Sequence, residues 1–108
     1  MDITERGRVF SEKYAHDQEV LFRVESRACR LFGEWVAEKM SLEKGDAQTY
    51  SRDMVAANME EPGLDDVVRK AIKDLETKGI SVSERSLRTE LESCLDRARA
   101  QVMEEMGP

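Results

Sequence analysis

His16 is the one histidine of this 108-residue chain, and Glu12, Asp17 and Glu19 stand beside it. On a helix Glu12 and Glu19 lie within one turn of the imidazole, so a metal site is the first chemistry to weigh. A carboxylate-bridged di-metal centre in a helical bundle takes a Glu-x-x-His motif from each of two helices. Position 13 is lysine and no second histidine exists, so the expectation is a surface or capping histidine and no metal. Cys29 and Cys94 are the remaining nucleophile candidates. Both fall on apolar faces of helical patterns, and only one histidine could serve either as a base. Neither belongs to a CxxC pair, which points to buried reduced thiols and not to a disulfide or a metal site. Gly33 and Gly45 are isolated, so no glycine-rich phosphate loop is present. The residues predict neither an enzyme nor a cofactor.

Composition narrows the class further. Hydrophobic residues make up 40% and charged residues 37% of the chain, enough apolar surface for a folded helical domain and too much for a disordered one. No segment alternates with period 2, so strands are not expected. The net charge of −6 argues against nucleic-acid binding, which needs a basic surface to displace counterions. Residues 41–66 hold seven acids against two bases, a charge run that reads first as a solvated surface. No apolar run approaches the roughly 18 residues needed to span a bilayer, and the first residues lack a signal-peptide segment. The expected compartment is cytoplasmic, without membrane insertion.

The elements that must position these residues begin with Phe10 to Met40, which contains no proline and a single glycine, Gly33. Leu21, Val24, Ala28, Leu31 and Trp35 recur at spacings of 3 and 4, which stacks them on one helical face. Phe32 and Val36 widen the stripe, and Trp35 is the expected core anchor. Upstream the stripe thins, with Asp17 in it and only Tyr14 and Phe10 continuing it. Residues 1–13 therefore read as a flexible lead-in able to become helix against a partner. Gly45 and Asp46 predict a helix stop and an N-cap, with a second helix from Ala47 to about Met59. Glu60-Glu61-Pro62-Gly63 marks a sharp turn. A third helix is predicted over Leu64 to Lys78, closed by Gly79. The last starts at Ser83 or Ser81, and buries Leu87, Leu91, Cys94, Leu95, Ala98, Val102 and Met106. Short turns between amphipathic helices favour an all-α four-helix bundle with a long first helix. Its expected division is a flexible segment at 1–13 and a bundle domain at 14–108.

Residue chemistry alone leads to a small helical interaction domain. Several strings are more specific: Lys13-Tyr14-Ala15-His16-Asp17, Arg30-Leu31-Phe32-Gly33-Glu34-Trp35, and Glu60-Glu61-Pro62-Gly63 followed by Asp66-Val67 and Arg69-Lys70. Together they resemble the alphaproteobacterial zeta subunit family, small four-helix inhibitors of ATP hydrolysis by F-type ATP synthase. The resemblance runs from about Asp2 to Met103.

This resemblance implies a protein–protein role, with the α and β subunits of the ATP synthase head as partners and the chain a monomer when free. It places the protein in the cytoplasm, peripheral to the inner membrane. It also implies that the segment before the Ala-His-Asp string enters a catalytic interface of the head. The corresponding residues are Asp2, Ile3, Glu5, Arg6, Arg8, Phe10, Lys13 and Tyr14. Family members commonly carry an acidic run and a helix-favouring Asp-Arg-Glu before the phenylalanine. This chain has Glu5-Arg6-Gly7 there, a departure in the direction of weakened potency, because glycine lowers helix propensity. The competing expectation is a helical regulatory or ligand-binding module that does not inhibit an ATPase.

Overall fold

The computed structural model describes the backbone of residues 3–60 and 63–107, and the side chains of residues 16–60 and 63–107. Four helices follow one another among the described residues: α1 (Ile3–Lys39), α2 (Lys44–Glu60), α3 (Leu64–Thr77) and α4 (Glu84–Glu105). The fold is all-α, as the periodicity predicts, and α1 is far longer than its partners.

Two helix ends close in the same way for different reasons. At α3, Gly79 takes a positive φ of 73°. Its N–H donates to the Glu76 carbonyl, and the Ile80 N–H to that of Leu75, the paired bonds that satisfy the last carbonyls of a helix. At α1 the left-handed position falls on Ser41, φ 57°. There the Ser41 N–H donates to Glu38 and the Leu42 N–H to Ala37. The stop expected at Gly45 is thus four residues early, and α2 begins at Lys44 with Asp46 inside its first turn. Ser83, not Ser81, caps α4: its hydroxyl oxygen accepts from the Ser86 N–H at 3.1 Å.

The core gathers the apolar faces of all four helices. Val24, Ala28, Cys29, Phe32, Val36 and Met40 of α1 meet Met54 of α2, Val67, Val68, Ala71 and Leu75 of α3, and Leu87, Leu91, Cys94, Ala98 and Val102 of α4. Phe32 is the largest fully buried side chain. Trp35, the expected anchor, is only partly buried. It stacks beside Phe32 with ring centroids 6.1 Å apart, and its outer face receives the Lys39 ammonium at 5.2 Å. The core stripe therefore runs one residue round from where the tryptophan suggested. Leu21, expected within the stripe, is 48% exposed; α2 and α4 both end before they can cover it.

The α1–α2 contact is unusually close. Gly33 faces the backbone of Ser51, and the buried Ser51 hydroxyl donates to the Arg30 carbonyl at 2.8 Å. Asn58 is also buried, its side-chain carbonyl accepting from the Gly63 N–H at 3.4 Å. Neither polar residue was expected in the core. Each is tolerated because its hydrogen bond is made inside. α3 is held to α2 by a third polar contact. The Tyr50 hydroxyl donates to Asp74 at 2.8 Å, and Lys70 reaches the same carboxylate at 2.8 Å while lying over the Tyr50 ring. Burial and the Asp74 hydrogen bond push the Tyr50 phenol well above its ordinary value.

Candidate protein-binding site

α1 runs antiparallel to α2 and to α4, and most of its packing is with those two helices. The register is fixed by named pairs. Arg27 donates to Gln101 at 2.9 Å and pairs with Glu105 at 2.7 Å, while Ser51 meets Arg30. At about 1.5 Å of rise per residue, the 22 residues of α4 and 17 of α2 cannot match the 37 of α1. Their carboxyl-terminal ends therefore stop beside the Phe22–Arg27 stretch, and α1 continues past them toward Ile3.

The described side chains record where this support ends. Val24 is buried, Val20 is partly buried against the core, and His16 through Glu19 are exposed. Nothing before Val20 belongs to the described core. Seven of the eight residues expected to bind a partner, Ile3, Glu5, Arg6, Arg8, Phe10, Lys13 and Tyr14, lie on this amino-terminal reach of α1. Their side chains, and Asp2 altogether, lie outside the described residues, as does the flexibility expected of residues 1–13.

Where α1 leaves the bundle, a shallow groove of about 390 Å³ is lined by Phe22, Arg23, Arg27, Val55 and Val102, with Glu105 at its edge. Phe22 is 54% exposed, as are Met59 at 59% and Met103 at 56%. Met59 stands one turn beyond Val55 on α2, and Met103 follows Val102 on α4. These three and Leu21, at 48%, are the large hydrophobic residues exposed among the described residues, and of the four only Phe22 lines the groove. Periodicity alone does not separate these residues, because Leu21 obeys the core spacing and Phe22 sits one step off it. Arg23 is bonded to Glu19 at 2.9 Å, and Arg30 approaches Glu34 at 4.0 Å. Both pairs are about half exposed, so they hold these side chains only weakly.

The remaining chemistry is structural. Cys29 and Cys94 are buried and free. Burial pushes the Cys29 thiol up to about 12, helped by the charge of Glu25, and burial pushes that of Cys94 up to about 11. Neither is a nucleophile near neutral pH, since the reactive species is the thiolate. His16 is exposed. Among the described residues no group of three or more His, Cys, Asp or Glu side chains could hold a metal ion, and no helix is long and apolar enough to cross a membrane.

What the described residues offer is a four-helix core and a first helix whose earliest described side chains, His16 through Glu19, are exposed. A family model described as ATPase inhibitor subunit zeta matches residues 1–101. No curated protein matches the chain. A protein solved by NMR in solution is 37% identical, with a TM-score of 0.67 over 78% of this chain and 95% of its own.

Proposed function

The chain belongs to the ATPase inhibitor subunit zeta family, and from that premise we propose that it binds the soluble head of F-type ATP synthase and restrains ATP hydrolysis through residues 1–14. The partners are the α and β subunits that form a catalytic interface of the head, and the bundle serves as the platform from which α1 reaches them. On this reading the protein is a regulatory, non-catalytic subunit, cytoplasmic and peripheral to the inner membrane through the synthase, and it binds as a monomer.

The observation that carries the reading is the family match across both parts of the chain, the first 14 residues and the bundle together. In support of it, His16 through Glu19 are exposed, and the described core begins at Val20. Phe10 and Tyr14, aromatics of the kind favoured as interface anchors, stand before that point. Arg6 and Arg8 are suited to pair with carboxylates in a cleft. Gly7 raises the cost of ordering the segment by about 1 kcal/mol relative to alanine, which is the physical basis for a weakened inhibitor.

The test is ATP hydrolysis by the purified ATPase head of the same organism, titrated with the full chain and with a chain lacking residues 2–14. The full chain should inhibit and the truncated chain should not. Equal inhibition by both would move the active surface to the bundle.

A further inference from the structure

We propose that the groove on the outer side of α1, where Arg23, Arg27 and Arg30 stand beside Phe22, docks an acidic segment of the ATPase head whose carboxylates lie about one helical turn apart. The inference rests on the proposed binding of the head and names a part of that interface outside residues 1–14.

The groove exists because the bundle closes on one side of α1 only. α2 and α4 both pack on α1, yet among the described residues they do not touch each other. α3 packs against all three and fills the space between α2 and α4 on one side. The groove takes its lining from α1, α2 and α4 and from no residue of α3, so it lies on the side left open. Helical geometry agrees. Arg23 and the buried Phe32 are nine residues apart, about two and a half turns, and so stand on opposite sides of α1. Val55 of α2 and Val102 of α4 form the walls.

Charge identifies the occupant. Three guanidiniums and one carboxylate, that of Glu105, line the groove in a chain whose net charge is −6. Spacings of four and three residues set the guanidiniums about 6 and 4.5 Å apart along α1, which matches carboxylates on successive turns of an acidic helix. Arg27 is already tied to α4, through Gln101 at 2.9 Å and Glu105 at 2.7 Å. Arg23 and Arg30 are the available pair. Each side chain is 52% exposed, and their partners Glu19 and Glu34 are as open to water and stand outside the groove lining. Exposed pairs of this kind contribute little. A carboxylate enclosed against Arg23 or Arg30 by an incoming surface forms the stronger two-pronged contact that guanidinium favours. Phe22, 54% exposed, supplies an apolar neighbour that helps exclude water from that contact. A free anion would use the arginines alone, whereas a protein segment uses Phe22 as well. The groove is also near the proposed inhibitory segment, since Phe22 follows Tyr14 by eight residues, about 12 Å along a helix.

The experiment titrates the ATPase head with the full chain and with two double variants, Arg23→Gln/Arg30→Gln in the groove and Lys73→Gln/Arg85→Gln at exposed positions away from it. Both variants change the net charge equally. Each titration is run at low and at high salt, beside a thermal melt of each free protein. The melts should be unchanged. At low salt the groove variant should need at least tenfold more protein for half-inhibition, and the distant variant no more than about twofold. The groove variant's deficit should shrink at high salt, which screens the pairing it has lost. A groove variant within twofold of the parent at low salt overturns the docking site and leaves the role of residues 1–14 standing. Equal weakening by the distant variant would reduce the effect to net charge and overturn it too. If the parent chain neither binds nor inhibits the head, the wider reading and the groove fall together. Inorganic phosphate probes the other occupant: phosphate that shifts the NMR signals of Arg23 and Arg30, while the groove variant inhibits like the parent, would make this a free-anion site and overturn the proposal.

Discussion

A Cβ at Gly33 would stand 2.8 Å from the Cα of Ser51 and 3.2 Å from the Cβ of Met54. Alanine is better than glycine inside a helix by about 1 kcal/mol, whereas overpacking a closed contact costs roughly 1–3 kcal/mol. Here the nearest atom is backbone, which cannot rotate away, so packing wins. Gly33→Ala should therefore lose about 1–2 kcal/mol and lower the melting temperature by several degrees, a change that circular dichroism would read directly. A melt at or above that of the parent would show that α1 and α2 can part without cost. The buried thiols make a second prediction at this scale. Both folded values lie above the ordinary 9.0, Cys29 at about 12 and Cys94 at about 11. A raised value means the folded state favours the neutral thiol. The stability it contributes is complete below pH 9 and is lost as pH rises from 9 toward 12. Stability should fall over that alkaline window in the parent, and less steeply in Cys29→Ala at equal temperature. An identical slope would remove Cys29 as a cause. The burial of both thiols was legible in the helical spacing. The burial of Ser51 and Asn58 was not, since it depends on a carbonyl of α1 and an amide of the α2–α3 turn that no periodicity locates.

Element by element, the turns show where sequence patterns are informative and where they mislead. Gly79 ended α3 as expected, because glycine is the residue that takes a left-handed conformation at no steric cost. Gly45 carried the same signal and sits instead within the first turn of α2, with nothing within 4 Å of a would-be Cβ. The real stop is Ser41, which has no special affinity for φ 57° and is held there by the bonds of Ser41 and Leu42 to Glu38 and Ala37. A non-glycine residue in this region costs roughly 1–2 kcal/mol, offset in part by the greater chain entropy of glycine when unfolded. Ser41→Gly should accordingly stabilise the bundle by up to about 1 kcal/mol. Urea unfolding would show it as a higher midpoint at the same slope. A lower midpoint would mean that the serine side chain contributes more than its backbone conformation costs. That the first helix is long was legible too, although it begins at Ile3 and not at Phe10; the point at which its stripe ceases to be core was not. Leu21 and Val24 obey one spacing, and only the ends of α2 and α4 decide that the first is half exposed and the second buried.

At the scale of the whole molecule, the proposed separation of a folded bundle from an amino-terminal segment turns on where the core begins along α1. The described core begins, counting from the amino terminus, with the partly buried Val20 and the buried Val24. Every long-range polar contact of α1 described here, from Arg27 to Gln101 and Glu105 and from Ser51 to Arg30, lies beyond that point. Removing residues 2–14 thus takes away no described core side chain and none of these ties. The surface charge network of the bundle is also untouched, including Arg88 between Asp65 and Glu84. The Arg88 guanidinium holds the exposed Asp65 carboxyl below its ordinary value. Its small contribution is present at neutral pH and fades as acid protonates it, in the full and shortened chains alike. A chain lacking residues 2–14 should lose helical signal in proportion to the residues removed and keep its melting temperature within a few degrees. One kcal/mol shifts the melt of a domain this size by about 4–8 °C, so a loss of core packing would be plain. A melt lowered by 10 °C or more would show that the amino-terminal reach packs against the bundle in the free protein. The partner would then have to pull it away before using it, and the separation between platform and reaching helix would fail.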